Sequence, residues 1–261
     1  MNSNVVWITG ASSGIGEALV HQFEKSNYKV IISSRKKDAL ELVKSRTQNP
    51  NNIFVLPLDL SKNEDFEILA SEAIAAFGHV DILINNGGIS QRSLVIDTKL
   101  EVDRKIMEVN YFGTIALSKA ILPHFIERKK GHFGVVSSLV GKFGSPYRSS
   151  YAGAKHALHG FFDSLRAENY KENIKVTMIC PGFIKTNVSI NALTGDGSPL
   201  NEMDAAQDKG MTPEACAKTI KKGIETGKLE ILIGGKETIA VYIKRFFPKI
   251  FAKIIQKAKV R

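Results

Sequence analysis

Tyr151 and Lys155 stand four residues apart in the segment YAGAKHALHGFF, which begins at Tyr151. Ala154, Leu158, Phe161 and Phe162 recur there at helical spacing, so the segment is predicted to be a helix. Positions i and i+4 lie one above the other on a helix face, and the phenol and the ammonium therefore point the same way. That pairing is a poor choice for core packing and a good one for lowering the pKa of the phenol. A free tyrosine titrates near 10, and each unit of depression corresponds to ~1.4 kcal/mol of preference for the anion. A phenol tuned towards neutrality can give and take a proton.

Further residues could serve that phenol. TGASSGIG, from Thr9 to Gly16, follows a strand-like run. Its glycines suit a tight turn and a close backbone approach, and the helix that begins near Gly14 aims free N–H groups at an anion. Ser138 lies thirteen residues before Tyr151, with Ser137 beside it. Strand alternation sends these two side chains to opposite faces, so one of them can reach the phenol. Asn110 falls within a helical pattern although asparagine is a mediocre helix former; its amide could bind water or bond to nearby backbone.

The elements that must position these residues alternate. Strands are predicted at 5–9, 29–34, 53–58, 80–85, 133–138, 174–179 and 230–234, and helices at 14–26, 36–46, 62–77, 100–129, 150–171 and 212–226. Most of the strands are apolar on both faces, as buried parallel strands are. The pattern predicts an α/β fold: one doubly wound parallel sheet of about seven strands with helices on both faces. Residues 1–235 form the expected catalytic domain, with a long polar loop at 187–212 as a substrate lid.

The ordered set TGASSGIG, LDLS (58–61), NNGG (85–88), Asn110 in VNYFG, Ser138 in VVSS, YAGAK and CPGFIKT (180–186) resembles the short-chain dehydrogenase/reductase superfamily, single-domain subgroup. NNGGISQRS and YRSSYAGAKHALHGFFDSLRAE are most similar to its dehydrogenase/reductase "member 7" branch. The resemblance implies hydride transfer between a nicotinamide and a carbonyl or alcohol, with Asn110, Ser138, Tyr151 and Lys155 as the catalytic set. Tyr151 would protonate the carbonyl oxygen, and Lys155 would also hold the nicotinamide ribose. The family spacing picks Ser138, with Ser137 as the fallback. Cofactor contacts implied by the resemblance fall on Gly10, Ser12, Ser13, Gly14, Ile15 and Gly16, then on Asp59, Leu60, Asn86 and Gly87, and finally on Pro181, Gly182, Ile184 and Thr186, besides Tyr151 and Lys155. NNGG departs from the commoner NNAG by a glycine in place of the alanine, which is expected to loosen the strand end.

The second strand ends ISSRKK, without the acid that would bond a ribose 2′-hydroxyl. Ser33, Ser34 and Arg35 can bond a 2′-phosphate instead, so NADP(H) is the expected cofactor, although Arg35 and Lys36 would also suit an ordinary helix start. Carbonyl reduction is the favoured direction. Phe143, Tyr147, Phe183, Ile184, Val188 and Ile190 are expected near the pocket, which suggests an apolar substrate. The competing reading is a nucleotide-binding scaffold without turnover, which the intact catalytic set opposes.

Composition bounds the rest. Two cysteines, Cys180 and Cys216, form no paired motif, and a reducing, cytoplasmic setting is expected. Cys180 is read as a buried small residue. His156 and His159 have no third ligand beside them, and no metal is expected. No leader and no spanning helix are read. The net charge of +10 is concentrated at the C-terminus, where residues 236–261 hold eight Lys/Arg against Glu237. Together with the lack of a nucleic-acid module, this argues against nucleic-acid binding. Residues 239–261 can form a basic amphipathic helix, kinked or restarted at Pro248. Its apolar stripe either packs over the pocket or a neighbouring subunit, or contacts a membrane peripherally. The resemblance also implies a homodimer or homotetramer, joined through the long helices at 100–129 and 150–171.

Overall fold

The computed structural model describes residues 3–62 and 65–258. Seven strands form its one sheet: β1 (Val5–Thr9), β2 (Lys29–Ser33), β3 (Ile53–Val55), β4 (Ile82–Asn85), β5 (Gly131–Val136), β6 (Ile174–Pro181) and β7 (Glu230–Ile233). All pairs are parallel, in the order β3-β2-β1-β4-β5-β6-β7. The predicted α/β fold is observed.

Strand alternation assigns the core. Val5 and Trp7 of β1 face one cluster, and Val6 and Ile8 face the other. The first cluster is covered by α3 (Phe66–Phe77), α5 (Gly113–Glu127) and α6 (Ser149–Glu168). Phe66, Phe125 and Phe162 from these helices are buried there. On the other face lie α1 (Gly14–Glu24), α2 (Lys37–Ser45) and α8 (Pro213–Glu225), contributing Phe23, Leu40 and Ile220. Each helix thus buries one apolar stripe against a strand surface that is apolar on both sides.

The boundaries differ at points that matter to the site. The helix predicted over 100–129 is α4 (Leu100–Met107), a π-helical turn (Glu108–Phe112) and then α5. Its extra residue rotates Asn110 out of helical phase. The segment 187–212 carries regular structure only at α7 (Ala205–Asp208). The C-terminal tail is two helices, α9 (Ile239–Phe246) and α10 (Pro248–Ile255), with Pro248 in the first turn of the second. The end of the predicted tail, 259–261, and residues 63–64 of the predicted third helix lie outside the described residues.

Candidate active site

The strand order reverses at β1, whose neighbours are β2 and β4, and a crevice opens beyond the carboxyl ends of these strands. A cleft of about 620 Å³ lies there. At one end it is lined by Ser34 and Arg35, and at the other by Ser138, Tyr151 and Lys155. Between them come Gly10, Ser12, Ser13, Gly14 and Ile15 from the β1–α1 turn, and Asp59, Leu60, Asn86 and Gly87 from the turns after β3 and β4. Pro181, Gly182, Ile184 and Thr186 complete the wall after β6.

Gly16 is the predicted cofactor residue that stays behind the lining. A Cβ there would sit 2.1 Å from the carbonyl oxygen of Gly10, so its glycine is needed to fold the turn rather than to touch a ligand. The turn brings the amino end of α1 to the cleft floor, where its free N–H groups favour an anion. The size of the cleft, its floor of backbone donors and Arg35 at its end fit the dinucleotide that the sequence implies. Ser33 also borders the cleft. Its hydroxyl is buried and accepts a hydrogen bond from the Trp7 indole at 2.8 Å, so Ser34 and Arg35 are the more open groups at that end. Burial pushes the Asp59 carboxyl up, but hydrogen bonds from Ser61 and the charge of Arg35 hold it below its ordinary value.

At the reactive end, α6 presents Tyr151 on its first turn. The Ser138 hydroxyl donates to the Pro181 carbonyl at 3.3 Å and lies close enough to Tyr151 to help lower the pKa of the phenol. Ser137 turns away and donates to the Lys155 carbonyl, so the family spacing picks the serine that reaches the phenol. Lys155 is almost fully buried, and its Nζ donates to the Val136 carbonyl at 2.8 Å. Burial lowers its pKa to about 8.

The electrostatics differ from the sequence expectation. Burial raises the Tyr151 pKa, and the opposing cations are Arg92 and Arg148, aided by Ser138. Lys155 Nζ lies 5.7 Å from the centre of the Tyr151 ring, over its face, and gives one of its three protons to the Val136 carbonyl. The two arginines share one carboxylate. Asp204 Oδ2 accepts from Arg92 Nε at 2.8 Å and stands 3.3 Å from Arg148 NH2. All three are buried.

Asn110 makes a closed pair with Ile89. It accepts from the Ile89 amide and donates to the Ile89 carbonyl, both at 2.8 Å. Its amide is thus bonded to backbone and braces the loop that carries Gly88. NNGG differs from NNAG at its third residue, Gly87, where a Cβ would come 2.8 Å from Leu60 Cδ1; at Gly88 a Cβ would come 2.8 Å from Asn110 Oδ1 and 3.7 Å from Lys155 Nζ. Gly88 permits a close approach of the loop to these last two side chains.

Sequence reasoning missed Gln91 as well as the arginine pair. Gln91 is fully buried, and its Oε1 accepts from the Ser150 amide at 3.0 Å and the Tyr151 amide at 3.4 Å. It supplies the amino-terminal cap of α6 that Arg148, at the cap position, does not. The only signal was its place in NNGGISQRS, which carries no spacing rule. Of the residues expected near the substrate, Ile184 and Val188 line the cleft, while Phe143, Tyr147, Phe183 and Ile190 lie off its lining. Leu193 and Pro199 of the long loop are on its wall instead. Cys180 is buried and pushed up to about 12, the state of an inert thiol. His156 bonds to the Ala152 carbonyl and His159 to Ser137, so the two histidines have separate partners.

The family described as short chain dehydrogenase matches residues 4–196. The chain is 43% identical to "Dehydrogenase/reductase SDR family protein 7-like" from Anopheles gambiae, over 98% of this chain and 83% of that one. It is similar to an alcohol dehydrogenase from Thermococcus sibiricus complexed with 5-hydroxy-NADP, at 25% identity and a TM-score of 0.76, covering 90% and 97% of the two chains. A short chain dehydrogenase/reductase from Burkholderia phymatum in complex with NAD shares the fold, at 18% identity and a TM-score of 0.85, covering 95% of each chain.

Proposed function

Because the chain belongs to the short-chain dehydrogenase/reductase family, and is by that membership a pyridine-nucleotide oxidoreductase, we propose that it is an NADP(H)-dependent reductase of an apolar carbonyl compound. The observation that carries this reading is a single cleft with Tyr151 and Ser138 at one end and Ser34 and Arg35 at the other. Arg35 is exposed and presents a guanidinium to that end, which suits a 2′-phosphate. When bound, the dinucleotide supplies or accepts the hydride.

The chain's own groups handle the proton and the geometry. The Ser138 hydroxyl orients the substrate oxygen beside the phenol. Tyr151 gives its phenolic proton to that oxygen in reduction and takes it back in the reverse reaction. Arg92 and Arg148 stabilise the phenolate left behind. Lys155, buried beneath the ring, is placed to bond the ribose and to feed the proton path. Ile89, Val188, Leu193 and Pro199 give the substrate end apolar walls.

The test is consumption of NADPH and of NADH with a panel of aldehydes and ketones of increasing apolar length. Oxidation of NADPH with at least one apolar carbonyl is expected. Tight NADPH binding with no turnover across the panel would favour a silent scaffold. Equal specificity constants with NADH would overturn the cofactor assignment.

A further inference from the structure

The C-terminal helices turn two apolar faces in different directions. The inward one is anchored by Phe251, which is 5% exposed and whose ring centre lies 5.1 Å from that of Phe143. Ile243 and Ile255 pack into the same cluster, as does Tyr151. The outward one is exposed among the described residues. It is made of Ile239, Tyr242 and Phe246 from α9, then Phe247, Ile250 and Ile254 through α10, each 49–67% exposed. Each trio has the spacing i, i+3, i+7 of one helix face, and the two meet at Phe246–Phe247. Single exposed apolar side chains are ordinary on a protein surface, but six large ones within sixteen residues mark an interaction surface.

Charge identifies the partner. Lys244, Arg245, Lys249 and Lys253 are exposed among these six residues, with Lys236 and Lys257 at the ends. Glu237, the one acid of the segment, turns back towards the fold: a Cβ on Gly182 would lie 2.7 Å from its Oε1. An apolar stripe rimmed by cations repels a second copy of itself, because a paired stripe would set lysines against lysines. An anionic bilayer accepts both features. Its acyl region takes the apolar side chains, its headgroups take the charges, and long basic side chains reach outward while their stems stay apolar. We propose that the outward stripe of α9 and α10 is a reversible docking surface for an anionic lipid bilayer. The contact places the Tyr151 end of the cleft next to the lipid, since the inner face of the same helices packs in the cluster that holds Tyr151.

The experiment is sedimentation of the full chain with vesicles of phosphatidylcholine alone and of phosphatidylcholine with phosphatidylserine, at low and high salt. Binding to the phosphatidylserine vesicles, weakened by salt and by omission of the anionic lipid, is expected. Phe246→Glu with Ile250→Glu should abolish it. Lys249→Gln with Lys253→Gln should weaken it by about fivefold for each charge removed. None of these positions belongs to the inner contact of Phe251 with Phe143, and circular dichroism confirms that each variant is folded. Failure of the parent to bind phosphatidylserine vesicles at low salt overturns the proposal. So does unchanged binding by the Phe246→Glu/Ile250→Glu variant. Light scattering that finds a dimeric parent and a monomeric Phe246→Glu/Ile250→Glu variant assigns the stripe to a second copy, and also overturns it.

Discussion

Tyr151 has its phenol pushed up by burial and pulled down by two guanidinium groups that lie far from it in kind and, for Arg92, far along the chain. Removing one of those cations should move the balance in a known direction. Arg148→Met takes away a positive charge that favours the phenolate, so the Tyr151 pKa rises and the alkaline limb of carbonyl reduction shifts to higher pH. A pH–rate profile checks this, and an unshifted limb would show that Arg148 only braces the loop. Tyr151→Phe keeps the ring and removes the proton. Turnover is expected to fall by about 10²–10⁴-fold while fluorescence titration shows NADPH binding retained. Arg35→Asp is expected to lower the NADPH/NADH ratio of specificity constants, because a carboxylate repels a 2′-phosphate. Tyr151 and Lys155 were legible because one helical turn fixes their relation, and Ser138 because the family spacing picks it over its neighbour Ser137. Arg92, Arg148 and Asp204 were not. The separation of 112 residues between Arg92 and Asp204 is closed by the fold alone.

The long loop read as a lid is fastened at the scale of elements. The Arg92 amide donates to the Leu193 carbonyl and the Leu193 amide to the Ser90 carbonyl, each at 2.8 Å. Asp204, just before α7, ties the far end of the loop to Arg92 and, through Arg148, to the amino end of α6. Asp204→Asn would leave two buried guanidinium groups without their carboxylate, and a loss of about 3–5 kcal/mol in denaturant unfolding is expected. Replacing Asp204, Arg92 and Arg148 together by apolar residues should cost less, since no charge is then stranded. Strands and helices were readable from apolar periodicity, which burial on both sheet faces imposes. The π-helical turn at Glu108–Phe112 was not, since the buried residues on either side of it, Val102 and Ile106 before and Leu117, Ile121 and Phe125 after, recur at the spacing of four that one unbroken helix also gives. The bend between α9 and α10 was, because Pro248 marks it in the sequence.

The whole molecule should be acid-sensitive through histidines remote from the chemistry. His132 on β5 is buried, and its Nε2 lies 2.8 Å from the Thr177 hydroxyl. That hydroxyl donates to the Lys228 carbonyl, so its oxygen accepts and His132 is neutral with the proton on Nε2. His159 on α6 is arranged alike, with Nε2 at 3.1 Å from a Ser137 hydroxyl that donates to the Lys155 carbonyl. Burial lowers both pKa values to about 4, with Lys175 adding to the effect at His132 and Lys142 at His159. Burial also lowers His124. The unfolded chain takes up these protons near pH 6.5, whereas the folded chain resists until about pH 4. The unfolded state therefore binds more protons in that interval, and stability is full above pH 6.5 and falls as pH drops towards 4. His132, the more deeply buried of the two, contributes a loss of about 3 kcal/mol, a large share of the ~5–15 kcal/mol that holds a domain folded, and the more open His159 contributes less. The carboxylate network of Asp81, whose pKa the Val5 amide, Lys130 and Arg128 hold down against burial, titrates below this window and does not confuse it. Urea unfolding across pH 4–7 should show the decline, and His132→Gln with His159→Gln should flatten it. A parent whose stability is level between pH 6.5 and 4.5 would mean that these imidazoles are solvated on a timescale the folded structure does not show.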